Sequence, residues 1–334
     1  MSAAATGTTV RAEAALRDLV REALPRAGAT ADSLVEVEKS DLPSTTSYPT
    51  AAVTAGLRGG GAVRFFLKDF GHSHLPKDGV EARRLREVHV YRDLLAGAGL
   101  GTPEYYGSLL DEAEGRLWLL LELLDGVQLR ECGLEAWIAA AAWLARLHAH
   151  FDGRAAELER SPLLVRHDED YFRSKAEEAQ RDLQRFSARS RRRVAALLAG
   201  YDELAAAMAS RPRTLVHGNY RPKNVVVERP SRHTRVAPVD WEVAAVGSPL
   251  YDLGHLLDGY RGEPLRALLG AYRAQAQALG ASVPAGAEAM RMMDAFCLHR
   301  VVKSLARAVE KGFGERDVSD LLDHGERLRG RIAG

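Results

Sequence analysis

The chain has 334 residues, with 46 Lys and Arg against 45 Asp and Glu and a formal charge of +1, so its overall field gives no ground for a nucleic-acid or membrane-surface partner. Hydrophobic residues at 46% and charged residues at 27% match ordinary globular usage and exclude a disordered or fibrous chain. The only two cysteines, Cys132 and Cys297, stand in no metal-spaced pattern and argue against a disulfide framework; with no basic segment leading into an apolar one at the start, the expected location is the cytoplasm.

The length suggests two domains, or one domain with two lobes. A lead segment of residues 1–30 carries Leu16, Val20 and Leu24 at helical spacing. Alternation in LVEVEKS (34–40) predicts a strand, and DLPSTTSYPT (41–50) a loop. AAVTAGL (51–57), the turn RGGG and AVRFFLKDF (62–70) predict a hairpin. Residues 78–95 show an amphipathic helical pattern that stops at Gly97, Gly99 and Gly101. YYGSLLD and RLWLLLELL (116–124) complete a small sheet, so residues 31–124 form one predicted lobe. Residues 125–334 form another, rich in helices predicted at 134–151, 171–186 and 191–208 and broken by the short apolar runs TLVHG and NVVVE. Ser248 and Pro249 then suit the N-cap and first position of a further helix.

Common nucleotide and hydrolase signatures are absent: the chain has no GxxxxGK[ST], GxGxxG, HExxH or GxSxG. The informative stretch is LVHGNYRPKNVVVE (215–228), followed by VAPVDWE (236–242). His217, position 219 and Asn224 repeat the spacing of a protein-kinase catalytic loop, and Asp240 ends a short apolar run. An amide oxygen and a carboxylate are the hard donors that Mg²⁺ takes beside phosphate groups. Asn219 and Asn224 are the only asparagines in the chain, and random placement would bring two so close only about 3% of the time. Lys68 is likewise a rare choice, one of seven lysines in a chain whose basic residues are mostly arginine.

HGNYRPKN, VDWEVAAVGSPLYDLGHLL, WLARLHAHF and LLLELLDG resemble the aminoglycoside phosphotransferase and choline kinase-like family over residues of about 35 to 310. The resemblance implies a bilobal, protein-kinase-like α+β fold with a small N-terminal antiparallel sheet plus helix, a larger, mostly helical C-terminal lobe, and Mg·ATP between them. By the same resemblance, Lys68 steadies the α and β phosphates and Glu87 is its partner, an exposed pair whose role is positional. Glu122 to Leu124 offer backbone groups to adenine, and Ser44, Thr45, Thr46 and Ser47 cover the phosphates. Asn224 and Asp240 match the Mg²⁺ ligands, Glu242 stands near a second metal, and Asp252 braces the loop that carries His217 and Asn219.

The pattern breaks at one place. The family has Asp third in its HGD, where this chain has Asn219, and an amide cannot take a proton from a hydroxyl. Three readings follow: a slow or specialised small-molecule phosphotransferase, acting on a metabolite such as an amino sugar or on a nucleophile that needs no base; a catalytically weak, nucleotide-binding pseudokinase that regulates a partner; or other ATP chemistry, such as nucleotidyl transfer. Retention of the nucleotide-side groups favours the first. The sequence sets no oligomeric state. Asp168, Glu169 and Asp170 are expected to cap a helix, Asp317, Asp320 and Asp323 to face water, and RSRRRV (189–194) to form a solvated face. His148 and His150, two apart, cannot share a helix face as a metal pair.

Overall fold

The computed structural model describes residues 3–43, 48–71, 79–228, 234–281 and 286–334. Ser44 to Ser47, expected over the phosphates, lie outside the described residues. The chain divides into two compact units, Met1–Gly126 and Val127–Gly334.

The first unit opens with helix α1 (Ala3–Ala23) and continues through strands β1 (Leu34–Asp41), β2 (Thr50–Leu57) and β3 (Ala62–Asp69), helix α2 (Val80–His89), and strands β4 (Tyr105–Asp111) and β5 (Arg116–Glu122). The five strands make one antiparallel sheet in the order β1-β2-β3-β5-β4. Its β2–β3 hairpin turns through Gly59, Gly60 and Gly61, all near φ +90°, a conformation open to glycine and costly for other residues. The apolar stripe of α1 closes one face of the sheet: Leu16, Leu19, Val20 and Ala23, with Leu24 just beyond, bury against Val53, Phe65, Leu67 and Leu120. The lead segment is therefore part of this unit's core. Helix α2 departs from the predicted single helix, because residues Val90–Leu95 widen into a π turn that a 3.6-residue apolar period does not encode. Strand β5 ends at Glu122, two residues short of the predicted Leu124.

The second unit contains β6 (Val127–Gln128), α3 (Leu134–His150), the single turn α4 (Ala155–Leu158), β7 (Val165–Arg166), α5 (Glu169–Asp182), α6 (Ala188–Leu197), α7 (Tyr201–Ala209), β8 (Thr214–Val216), β9 (Val225–Glu228), β10 (Arg235–Pro238), β11 (Ala245–Gly247), α8 (Pro249–Leu257), α9 (Gly262–Ala278), α10 (Gly286–Leu305) and α11 (Glu315–Ala333). The helix predicted over 191–208 is two helices, broken at Gly200. Helix α3 packs on α9, and α10 packs on α8, α5 and α11. Two three-stranded ribbons, β10-β9-β6 and β7-β11-β8, bracket the loop from 217 to 224. No helix among the described residues is long and apolar enough to cross a membrane.

Several charged runs take structural work. Asp168 caps α5, its Oδ1 accepting the Tyr171 N–H at 2.8 Å, and Asp317 accepts the Gly314 N–H at 2.9 Å at the start of α11. The predicted solvated face at 189–194 holds an exception. Arg193 reaches α11, donating to Glu326 at 2.7 Å and to Ser319 at 3.1 Å and pairing with Asp323, because α6 lies against that helix.

Leu24 is fully buried while Val10, on the same lead segment, is 59% exposed. Leu24→Ala is expected to lower unfolding stability by about 2–5 kcal/mol and Val10→Ala by less than about 0.5; equal midpoints for the two in urea would refute the packing of this segment on the sheet.

Candidate functional site

The first unit brings Lys68 and Glu87 together. Lys68, near the end of β3, donates through Nζ to Glu87 Oε2 at 2.7 Å and Oε1 at 3.0 Å. The side chains are 4% and 2% exposed, so the expectation of an exposed pair is corrected: the helix α2 face and the rings of Tyr48 and Phe70, 5.6 and 5.1 Å from Nζ, keep water away. Charges removed from water this far hold only while paired, so each fixes the other's position. Glu122, at the end of β5, already has its backbone N–H on the Glu104 carbonyl at 2.9 Å, and its carboxylate accepts the Glu104 N–H at 3.2 Å. Leu124 lies past the ladder, half-buried.

The second unit builds the loop between β8 and β9. Its anchor is Asp252 on α8, fully buried, whose carboxylate accepts the His217 N–H at 2.5 Å and the Gly218 N–H at 3.0 Å. Two successive N–H groups can aim at one carboxylate because Gly218 sits at φ +75°. A Cβ there would also lie 2.1 Å from the Val243 carbonyl oxygen, so no other residue fits. The His217 ring then has both nitrogens engaged: Nδ1 accepts the Asn219 N–H at 3.3 Å and Nε2 faces the Val239 carbonyl at 3.0 Å. This pattern requires the neutral, Nε2-protonated tautomer. Burial pushes the imidazole below the usual histidine range, opposed by Asp252. Trp241 covers the ring at 4.4 Å. Tyr220, stacked on Trp143 of α3, ties the loop down through its hydroxyl to the Ala140 carbonyl at 2.9 Å.

Asn224 closes the loop. Its Nδ2 donates to the Asn219 carbonyl at 3.1 Å, which leaves Oδ1 as the free end of the amide. The β9–β10 register pairs Val225 with Pro238, and the Val239 N–H donates to the Asn224 carbonyl at 2.8 Å, so Asn224 and Asp240 emerge at the same end of that hairpin. Asp240 has φ +69° and is the only non-glycine with positive φ among the described residues; a strained backbone held this way is a common mark of a working position. Glu242 follows in the turn after Asp240 and is buried. The Asn219 side chain, by contrast, is half-exposed and makes no hydrogen bond among the described residues.

Asn224, Asp240 and the loop residues thus converge within the second unit, while Lys68 and Glu87 form a separate buried pair in the first. The donor set of an amide oxygen and a carboxylate suits Mg²⁺, which is commonly held by one or two protein oxygens together with substrate phosphates. Among the described residues no group of three or more His, Cys, Asp or Glu side chains could hold a metal by itself. The sequence reading gave no role to Gly218, Tyr220 or Trp241. Gly218 was legible as the residue between His217 and Asn219, but the two aromatic supports carry no signal beyond ordinary core residues.

The family model described as the phosphotransferase enzyme family (APH) matches residues 50–292. No curated protein sequence gave a significant match. Among solved structures, the GDP complex of wild-type aminoglycoside 2′-phosphotransferase-IIIa superposes with a TM-score of 0.59 at 17% identity, covering 89% of this chain and 93% of that one. Macrolide 2′-phosphotransferase MphH from Brachybacterium faecium gives 0.56 at 20% identity, with coverage of 95% and 97%. Choline kinase LicA from Streptococcus pneumoniae gives 0.56 at 17%, with coverage of 90% and 94%. These likenesses establish the protein-kinase-like α+β fold.

Four buried histidines set the acid limb of stability. His217, His167, His255 and His299 are at most 5% exposed, and burial lowers the pKa of each. The unfolded chain takes up protons near pH 6.5 that the folded one refuses, so stability is complete above about 6.5 and falls below it by up to about 1.4 kcal/mol per pH unit per histidine. Urea midpoints at pH 7.5 and 5.5 check this, and equal midpoints would contradict neutral burial. Asp252→Asn, which turns one accepting oxygen toward an N–H as a donor, is expected to cost about 2–4 kcal/mol in the same assay.

Proposed function

The chain belongs to the phosphotransferase enzyme family, and on that premise we propose that it transfers the γ-phosphoryl group of Mg·ATP to a small-molecule acceptor. The observation that carries this reading is the loop from His217 to Asn224, closed by the Asn224 amide and set beside Asp240 at one hairpin end. In the transfer, an acceptor oxygen forms a bond to the γ-phosphorus, the bond from phosphorus to the β–γ bridging oxygen breaks, and ADP leaves with that electron pair; a hydroxyl acceptor releases its proton to water, and an oxyanion acceptor has none to lose. Lys68, aligned by Glu87, would steady the α and β phosphates. Asn224 Oδ1 and the Asp240 carboxylate would hold Mg²⁺, with Glu242 near a second ion. Bound there, the metal neutralises charge on the phosphates. Backbone groups of Glu122 to Leu124 would meet the adenine; since the Glu122 N–H is engaged, Leu124 is the better donor.

Asn219 sets the rate. Its amide can accept a hydrogen bond from a hydroxyl and hold it in line, but cannot take the proton. His217 cannot substitute, because both ring nitrogens are committed and the ring is fully buried. A missing base forfeits about 10²–10⁴-fold, while positioning around a loose transition state retains most of the acceleration. The protein is therefore a slow enzyme toward neutral hydroxyls rather than an inert one.

Calorimetric titration with ATP, with and without Mg²⁺, tests the site. Micromolar, Mg²⁺-dependent binding is expected in the wild type and its loss in Asp240→Ala; intact binding in that variant would remove the assignment. Asn219→Asp is expected to raise the transfer or ATPase rate at least about tenfold. An unchanged rate would make the amide itself the working group.

A further inference from the structure

Arg221 leaves the same loop as Asn219, its N–H on the Asn219 carbonyl at 2.8 Å. Its side chain is within electrostatic reach of Arg300, Tyr251 and Asp258. Lys311, in the segment after α10, is in reach of Arg307, Arg221, Glu310 and Lys303, and His255 on α8 is in reach of Arg300, Lys303 and Arg221. The carboxylates nearby are already used. Asp258 accepts from Arg300 and, at 3.1 Å, from His324, Glu310 takes Arg307 through bonds of 2.6 and 2.7 Å, and Asp252 serves the loop N–H groups. Among the described residues Arg221, Lys303 and Lys311 make no ion pair, and Asp258 and Glu310 act on Arg221 and Lys311 only at longer range. Lys303 donates only to the Tyr251 hydroxyl, at 3.1 Å.

Like charges held together are unfavourable unless an anion answers them. Burial and then Arg300 weaken the hold of Arg221 on its proton. A second observation is independent of charge. His255 is 5% exposed, yet neither ring nitrogen has a hydrogen-bond partner among the described residues. Buried polar atoms of this kind call for a polar partner.

We propose that this part of the second unit binds the acceptor and that the acceptor carries an oxyanion, a carboxylate or a phosphate group, held by Arg221, Lys303 and Lys311. The proposal rests on the phosphotransferase reading above and names its substrate class. The amide at position 219 fits it: a carboxylate there would repel an anionic acceptor, whereas Asn219 does not. A polycationic acceptor would meet three positive charges that no ion pair holds.

Inorganic phosphate, acetate and choline serve as probes, titrated by NMR with the nucleotide site filled by a non-hydrolysable Mg·ATP analogue. Phosphate is expected to bind at least tenfold more tightly to the wild type than to the Arg221→Gln, Lys303→Met double variant, with choline weaker than either anion. Tighter phosphate than acetate assigns a phosphate group, and the reverse assigns a carboxylate. Lys311→Glu changes an exposed side chain and is expected to weaken phosphate at least fivefold, which keeps the test decisive if the double variant fails to fold. Equal phosphate affinity in wild type and variants overturns the proposal, as does choline binding more tightly than both anions. Failure of the analogue to bind would instead remove the phosphotransferase reading, and phosphate titrated into the nucleotide-free wild type and variants would still decide the anion site.

Discussion

A single buried carboxylate organises the second unit. Among the described residues Asp252 has no Lys or Arg within ion-pair distance, the His148 ring lying 3.9 Å away, and burying a carboxylate without hydrogen-bond partners is costly. It is tolerated because two backbone N–H groups, from His217 and Gly218, supply the bonds. That requirement propagates. It forces the left-handed turn at Gly218, which swings the His217 ring onto the Val239 carbonyl and under Trp241. The ring in turn takes the Asn219 N–H, and the Asn219 carbonyl orients the Asn224 amide. One interaction on α8 thereby fixes the Asn224 amide three contacts away.

The links that pass through residue 219 use its backbone N–H and carbonyl, and none uses its side chain. The loop geometry is for this reason indifferent to whether an acid or an amide stands there, and an exchange between them alters charge and proton affinity without unsettling the fold. The departure at Asn219 is thus a change in chemistry with little structural consequence. The nearby cations act in the same direction, since removing a negative charge from the loop raises the local potential that Arg221, Lys303 and Lys311 already make positive.

Much of this was legible before any coordinates. Alternation marked β1 and the glycine-rich turn marked the β2–β3 hairpin, and the spacing of His217, residue 219 and Asn224 marked the loop because it repeats that of a protein-kinase catalytic loop. Other features depend on tertiary neighbours that no local pattern encodes. Arg193 looked like part of a solvated run until α11 was laid against α6. Lys68 and Glu87 looked like an exposed pair because neither Tyr48 nor Phe70 announces itself as a lid. The cation cluster drew no notice, since Arg221, Arg300, Lys303 and Lys311 are scattered over 90 positions in a chain whose net charge of +1 hides local imbalance.

The two sets of groups are also alike in how they are held. Lys68 is fixed by Glu87 and two rings within the first unit, and the loop is fixed by Asp252 and Trp241 within the second. Both sets are held by hydrogen bonds and packing within their own unit. Groups ordered in advance spare the ligand the conformational entropy of ordering them, so binding free energy remains for alignment of the reacting atoms. For an enzyme without a general base, alignment is the main resource left. Under the function proposed above, rigid support beneath Asn219 is what would let transfer proceed without the carboxylate, provided that the acceptor arrives with its own negative charge and is held by the cations beside it.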